Sequence, residues 1–193
     1  QYGFFLRECG YSGKIVSFEP SSNAYPQLLK LSQKDSYWEV APQIALGNQD
    51  TEVTLNISAN SQSSSVLKML DLHQTIAPDS SYIDSEVVRM VKLDEVATDY
   101  LDNQERNLVF LKLDVQGLEK EVLEGASQTL KYVKGVQVEL SLVPLYENQC
   151  GLLDMIQFLR NLGYSLYAVM PGFTDAKTGR MLQVDGIFFK EEV

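Results

Sequence analysis

The stretch from Leu108 to Ala126, LVFLKLDVQGLEKEVLEGA, constrains the fold more than any other part of the chain. It opens as an apolar strand, reaches an acidic residue and turns at Gly117. Leu118, Val122, Leu123 and Ala126, with Leu130 beyond, then share one helical face. Polar groups are costly to bury, so Lys112 and Asp114 inside this run need a purpose. A carboxylate at the carboxyl end of a parallel strand sits where open α/β sheets bind ligands. Asp114 is therefore the first candidate functional residue, and an α/β enzyme the first candidate class.

The remaining sequence extends this pattern. Lys14 to Phe18 is a short β-rich run closed by Glu19–Pro20, and Ser21 to Asn23 suit a helix start. Trp38 to Leu46 reads as one strand ended by Gly47. Glu52 to Ile57 alternates like a half-buried antiparallel strand, and Ser58 to Ser65 is a polar loop. His73 to Asp84 has no periodicity, and Val87 to Leu93 is a strand. Gly135 to Leu142 is a strand carrying Glu139, and Leu152 to Leu159 a helix ended by Gly163. Tyr164 to Met170 and Met181 to Phe189 have no helix between them, so they form an antiparallel hairpin at one edge. Strands alternating with helices predict a mainly parallel sheet covered on both faces. With no repeat and no linker, the 193 residues read as one domain, 1–193.

Composition narrows the function classes. A net charge of −10 argues against a nucleic-acid partner, because phosphates need a basic surface. No apolar run is long enough for a membrane span. Cys9 and Cys150 have no metal or redox spacing, which makes a reducing cytoplasm the expected setting. The expected partner is a small molecule or saccharide, and oligomeric state is left open.

Seven pieces, IVSFEPSSNAYPQLL, IALGN, SSSVL, VKLDEV, LKLDVQGLEKEVLEGA, VQVELSLVPLYENQ and LQVDGIFF, resemble the FkbM family of S-adenosylmethionine-dependent methyltransferases. They fall in the family's order and cover most of the chain. The resemblance implies a Rossmann-like class I methyltransferase fold and S-adenosyl-L-methionine as cofactor. It also implies O-methylation of a hydroxyl on a small molecule or sugar. In such enzymes a first strand and a glycine-rich turn bind the cofactor, and neither is present in this sequence. That strand is expected between the strand at Lys14 and the strand at Leu108. Gln1 to Phe5 resemble the residues at the exit of the turn, which makes Gln1 a candidate cofactor contact. The expectation is that the chain begins inside the domain. The alternative is a non-catalytic methyltransferase-like domain that has lost cofactor binding.

The resemblance also assigns roles. Glu19 would hold the cofactor ribose hydroxyls, with Pro20, Ile44 and Ala45 around the adenine; ordinary loop packing is the other reading of these three. Lys112, Asp114 and Glu139 either form a catalytic cluster at the sheet end or a structural ion pair closing it. His73, the only histidine, is a candidate general base. Glu119 reads as a helix N-terminal charge, Ser63 to Ser65 as a helix cap or a contact to the amino-acid end of the cofactor, and Tyr146 and Tyr167 as packing residues. No spacing demands a metal.

Overall fold

The computed structural model describes residues 2–101 and 108–191. The chain runs α1 (Tyr2–Glu8), β1 (Ile15–Ser17), α2 (Tyr25–Ser32), β2 (Trp38–Val40), β3 (Ala45–Gly47) and β4 (Thr51–Ser58). It continues through α3 (Asp71–Ile76), β5 (Tyr82–Lys92), α4 (Leu93–Val96), β6 (Val109–Leu113) and α5 (Glu119–Glu124). The last elements are β7 (Val133–Ser141), α6 (Leu152–Asn161), β8 (Tyr164–Pro171) and β9 (Gln183–Lys190).

These strands form three hydrogen-bonded sheets, ordered β1-β2, β3-β5-β4 and β6-β7-β9-β8. The class is α/β, but the sheets are mixed, which corrects the mainly parallel expectation. β1 with β2, β3 with β5 and β6 with β7 pair in parallel. β4 with β5, β7 with β9 and β8 with β9 pair antiparallel, over longer registers. The cause is local. β4 turns back beside the long β5, and β9 returns from β8 to insert between β8 and β7. The hairpin predicted at one edge is present, with β8 outermost.

The single strand expected over Trp38 to Leu46 is two strands in two sheets. Pro42 lies between them and has no N–H to donate to a ladder. The chain leaves β1 there and resumes beside β5. His73 to Asp84, expected to be irregular, holds α3 and the start of β5.

Side-chain alternation divides β6, β7 and β9 into two chemistries. Leu111, Leu113, Val136, Val138, Leu140, Val184 and Phe188 face the main core, where they meet Val122, Leu123, Met155 and Leu159 of α5 and α6. Lys112, Gln137, Glu139, Gln183 and Asp185 occupy the alternate positions. Gly125 lets the end of α5 touch β3, since a Cβ there would lie 2.0 Å from the Gly47 carbonyl oxygen. A second apolar cluster, Met69, Leu145, Tyr146 and Leu182, supports the loops at the sheet's carboxyl end.

Among the described residues β1 and β6 are not paired with each other. A groove of about 310 Å³ runs between them, lined by Val16, Phe18, Val109, Phe110, Leu111 and Tyr100 among others.

Candidate active site

Size does not identify the site. The groove between β1 and β6 is the larger opening, but among the described residues Lys14 is its only charged side chain. The chemistry gathers in a smaller cavity, about 160 Å³, at the carboxyl ends of β1 and β6 and the start of β3. Glu19, Pro20, Ile44 and Ala45, the residues read as cofactor contacts, all line it. Asp114, Gln116, Leu118, Leu55 and Val66 complete its walls, with Ser61, Gln62, Ser64 and Ser65 from the serine-rich loop. Gln1, the remaining candidate contact, lies outside the described residues.

Glu19 stands two residues beyond β1 because Pro20 ends the extended run. Its Oε1 accepts a hydrogen bond from the Ser21 amide at 2.9 Å, which fixes the carboxylate at the cavity wall. Burial raises its pKa, against the Ser21 bond, and the neighbouring Glu86 charge raises it further. Glu86 is itself anchored by the Ser22 amide at 2.8 Å.

Lys112, Asp114 and Glu139 meet at the sheet end. The Lys112 ammonium lies 3.4 Å from Asp114 Oδ2 and 3.4 Å from Asp185 Oδ1. It also sits over the Tyr2 ring, 5.9 Å from the centroid. Burial works against its charge, but Asp114, Asp185 and Glu139 outweigh that and raise its pKa. Glu139 faces Asp185 across the β7–β9 register. Its Oε2 accepts from Gln183 Nε2 at 2.6 Å and from Gln116 Nε2 at 3.3 Å. Burial, reinforced by Asp114 and Glu119, pushes its pKa up to about 8, so it is mostly protonated at neutral pH. The Asp114 side chain is 58% exposed, the most open of this group.

Sequence reasoning missed several members of this arrangement. Gln116 donates to Asp114 Oδ1 at 2.9 Å as well as to Glu139. Its Oε1 accepts from the Tyr146 hydroxyl at 2.8 Å, so Tyr146 joins the site's polar network besides packing in the core. Glu119, expected as a helix N-terminal charge, does open α5 but is only 2% exposed. It folds back to accept from the Gly117 amide at 3.1 Å, and burial raises its pKa to about 7. Asp185 and Gln183 had a legible signal: both lie in the matching piece LQVDGIFF, on the same strand face. Gln116 also lies in a matching piece, LKLDVQGLEKEVLEGA, but a glutamine in a turn is usually solvated, so nothing local sets it apart.

The structure does not bring His73 to the cluster. It is buried in α3, 4% exposed, with its ring against Tyr146 and Phe173. Its Nδ1 has no partner among the described residues, and burial lowers its pKa. The serines at 63–65 do not cap a helix. They fold the loop on itself through Ser58 and Asn60 and tie it to the turn after β6, with Ser65 Oγ donating to the Gln116 carbonyl at 2.7 Å. Tyr167 is 66% exposed and leans on Phe189. Among the described residues no group of three or more His, Cys, Asp or Glu side chains is placed to hold a metal ion. No helix there is long and apolar enough to cross a membrane.

No curated protein and no solved structure matches the chain. The family model for the methyltransferase FkbM domain matches residues 2–166, most of the chain and every element from α1 to the start of β8. The chain belongs to the FkbM methyltransferase family.

Proposed function

We propose that this methyltransferase uses S-adenosyl-L-methionine to methylate a hydroxyl of a small molecule or sugar. The carrying observation is that one cavity is lined by Glu19, Pro20, Ile44, Ala45 and Asp114, contributed by three separate strand ends. The donor set fits the cofactor. Ile44, Leu55, Val66 and Leu118 offer apolar walls to a heterocycle, while Glu19 offers a carboxylate to vicinal hydroxyls. No hydrogen bond among the described residues reaches the second Glu19 oxygen, which leaves it to accept from a ribose. When bound, S-adenosyl-L-methionine supplies a sulfonium methyl that an oxygen nucleophile takes as the carbon–sulfur bond breaks and its electron pair stays on sulfur.

The chain's own residues supply orientation and a proton acceptor. Asp114 lies at the cavity wall and is open to solvent, so a hydroxyl held there can hand its proton to the carboxylate as the oxygen attacks. Lys112 limits the repulsion between Asp114 and Asp185. The acidic surroundings attract a cationic sulfonium. Lys112, Asp114 and Glu139 carry the chemistry in this reading. His73, a candidate base from sequence, touches Tyr146 only ring to ring and has no hydrogen-bonded path to Asp114 among the described residues.

Calorimetric titration of S-adenosylhomocysteine into the protein tests the cofactor. Transfer of a tritiated methyl group to a panel of monosaccharides, phenols and hydroxy acids tests the acceptor. Absent binding would refute the cofactor assignment, and label on amines added to the panel, with none on the hydroxyl compounds, would refute the acceptor class.

A further inference from the structure

Gln116 holds a backbone conformation that its side chain must justify. Its φ is +52°, and Gly117 follows at +105°. Left-handed backbone costs a residue with a Cβ roughly 1–2 kcal/mol, and glycine or asparagine is the usual occupant. Such strain persists where the surroundings enforce it.

Three side-chain hydrogen bonds and one main-chain bond do so here. Nε2 donates to Asp114 Oδ1 at 2.9 Å and to Glu139 Oε2 at 3.3 Å. Oε1 accepts from the Tyr146 hydroxyl at 2.8 Å. The Gln116 carbonyl accepts from Ser65 Oγ at 2.7 Å. Together these bonds choose one amide orientation. A flipped amide would turn Oε1 toward two carboxyl groups and Nε2 toward a hydroxyl proton. The Tyr146 hydroxyl makes its shorter contact with Gln116 and a longer one, 3.3 Å, with the Ser63 carbonyl. Buried within the loops, it stays a donor across the accessible pH range.

We propose that Gln116 is a positioning residue: its amide holds Asp114 and Glu139 together as one hydrogen-bonded carboxyl pair and aims Asp114 at the methyl acceptor. The second half rests on the reading of Asp114 given above. The pair is surrounded by Lys112 on β6, Asp185 on β9, Glu119 at the start of α5 and Tyr146 in the loop after β7, with Tyr82 of β5 farther off. Among these, Lys112 is the only cation, and its contact with Asp114 is 3.4 Å. The amide is the shorter contact to Asp114, so it decides where the carboxylate points. Through the Ser65 and Tyr146 bonds, the same residue joins the serine-rich loop to the pair.

The test uses Gln116→Gly and Gln116→Asn in the whole chain, since both residues accept the left-handed backbone. The carboxyl pair is titrated by ¹³C NMR, with Asp114→Asn and Glu139→Gln assigning the signals. Amide donors favour the charged forms, so their loss in Gln116→Gly moves the pair's titration midpoints up by about one pH unit. Gln116→Asn gives a smaller rise. The melting temperature of Gln116→Gly stays level or climbs as the backbone strain goes. Unchanged midpoints in a folded Gln116→Gly overturn the proposal. Unfolding of both variants also overturns it, because the residue is then structural. S-adenosylhomocysteine binding by the wild type separates the two readings: its absence refutes the cofactor assignment and leaves the titration result standing.

Discussion

Ser65 and Gln116 are 51 positions apart, yet the Ser65 hydroxyl closes on the Gln116 carbonyl at 2.7 Å. The bond fastens the serine-rich loop over the turn that leaves β6, so one wall of the cavity is locked to the other. Ser65 also accepts from the Leu67 amide at 3.0 Å and is 1% exposed.

Ser65→Ala therefore strands a carbonyl and an amide together. Each unsatisfied buried group costs about 1–3 kcal/mol. Thermal denaturation should show a clear drop in stability, and S-adenosylhomocysteine should bind more weakly as the loop loosens. An unchanged melting temperature would mean that water replaces both contacts.

Glu19→Ala should weaken cofactor binding by about 2 kcal/mol, the scale of charge-assisted hydrogen bonds to a carboxylate. The fold should hold, because Glu19 lies beyond β1 and its one hydrogen bond among the described residues is to the Ser21 amide. Calorimetry on the variant checks this. Equal affinity for S-adenosylhomocysteine would assign Glu19 to loop packing instead.

The parts of this protein legible in sequence were those with a strong local period. β6, its turn and α5 announce themselves through apolar spacing, Gly117 and the acidic residue between. The alternation in Glu52 to Ile57 predicted an antiparallel strand, and β4 pairs that way with β5. Asp114 could be named because it closes an apolar strand, whereas Glu19, Ile44 and Ala45 came from the family resemblance; one cavity is lined by all four. The mixed sheet was hidden because nothing local says which way β4 and β9 turn. The split at Pro42 was overlooked because the apolar pattern runs through it. Gln116 lies in the matching piece around Asp114, but its role was hidden because its partners are on β7 and in the loop at Tyr146, and a side-chain amide gives no periodic signal. His73 misled for a related reason: a polar residue in an apparently irregular segment reads as exposed until Tyr146 and Phe173 close on it.

Glu139 should leave a signature in stability against pH. Its folded pKa, about 8, lies above the 4.5 of an ordinary glutamate. The native state thus holds a proton that the unfolded chain releases, and stability falls as pH rises from 4.5 to about 8. Glu119 acts the same way up to about 7. His73 opposes both below 6.5, since its pKa is lowered and the unfolded chain takes up the proton first. The Glu139 contribution is therefore cleanest between pH 7 and 8. Across that range the wild-type melting temperature should decline and that of Glu139→Gln should decline less. Parallel curves would show that Glu139 is already ionised at neutral pH.

Asp114→Asn separates the two readings of the sheet-end cluster. The amide keeps the shape but can neither accept a hydroxyl proton nor carry a charge. Losing a general base typically costs ~100-fold or more in rate. The structural reading predicts instability, through a buried cation left alone. The geometry makes that outcome small, because Lys112 keeps Asp185 at 3.4 Å and the Leu113 carbonyl at 3.2 Å, and Asp114 is largely exposed. The expected variant melts near the wild type, binds S-adenosylhomocysteine nearly as well and transfers methyl groups far more slowly. Gln116 would still donate to Glu139, so the pair's frame survives the change. A variant with full turnover per folded molecule and a large loss of melting temperature would leave Asp114 as an ion-pair partner and direct the search for the base to Glu139.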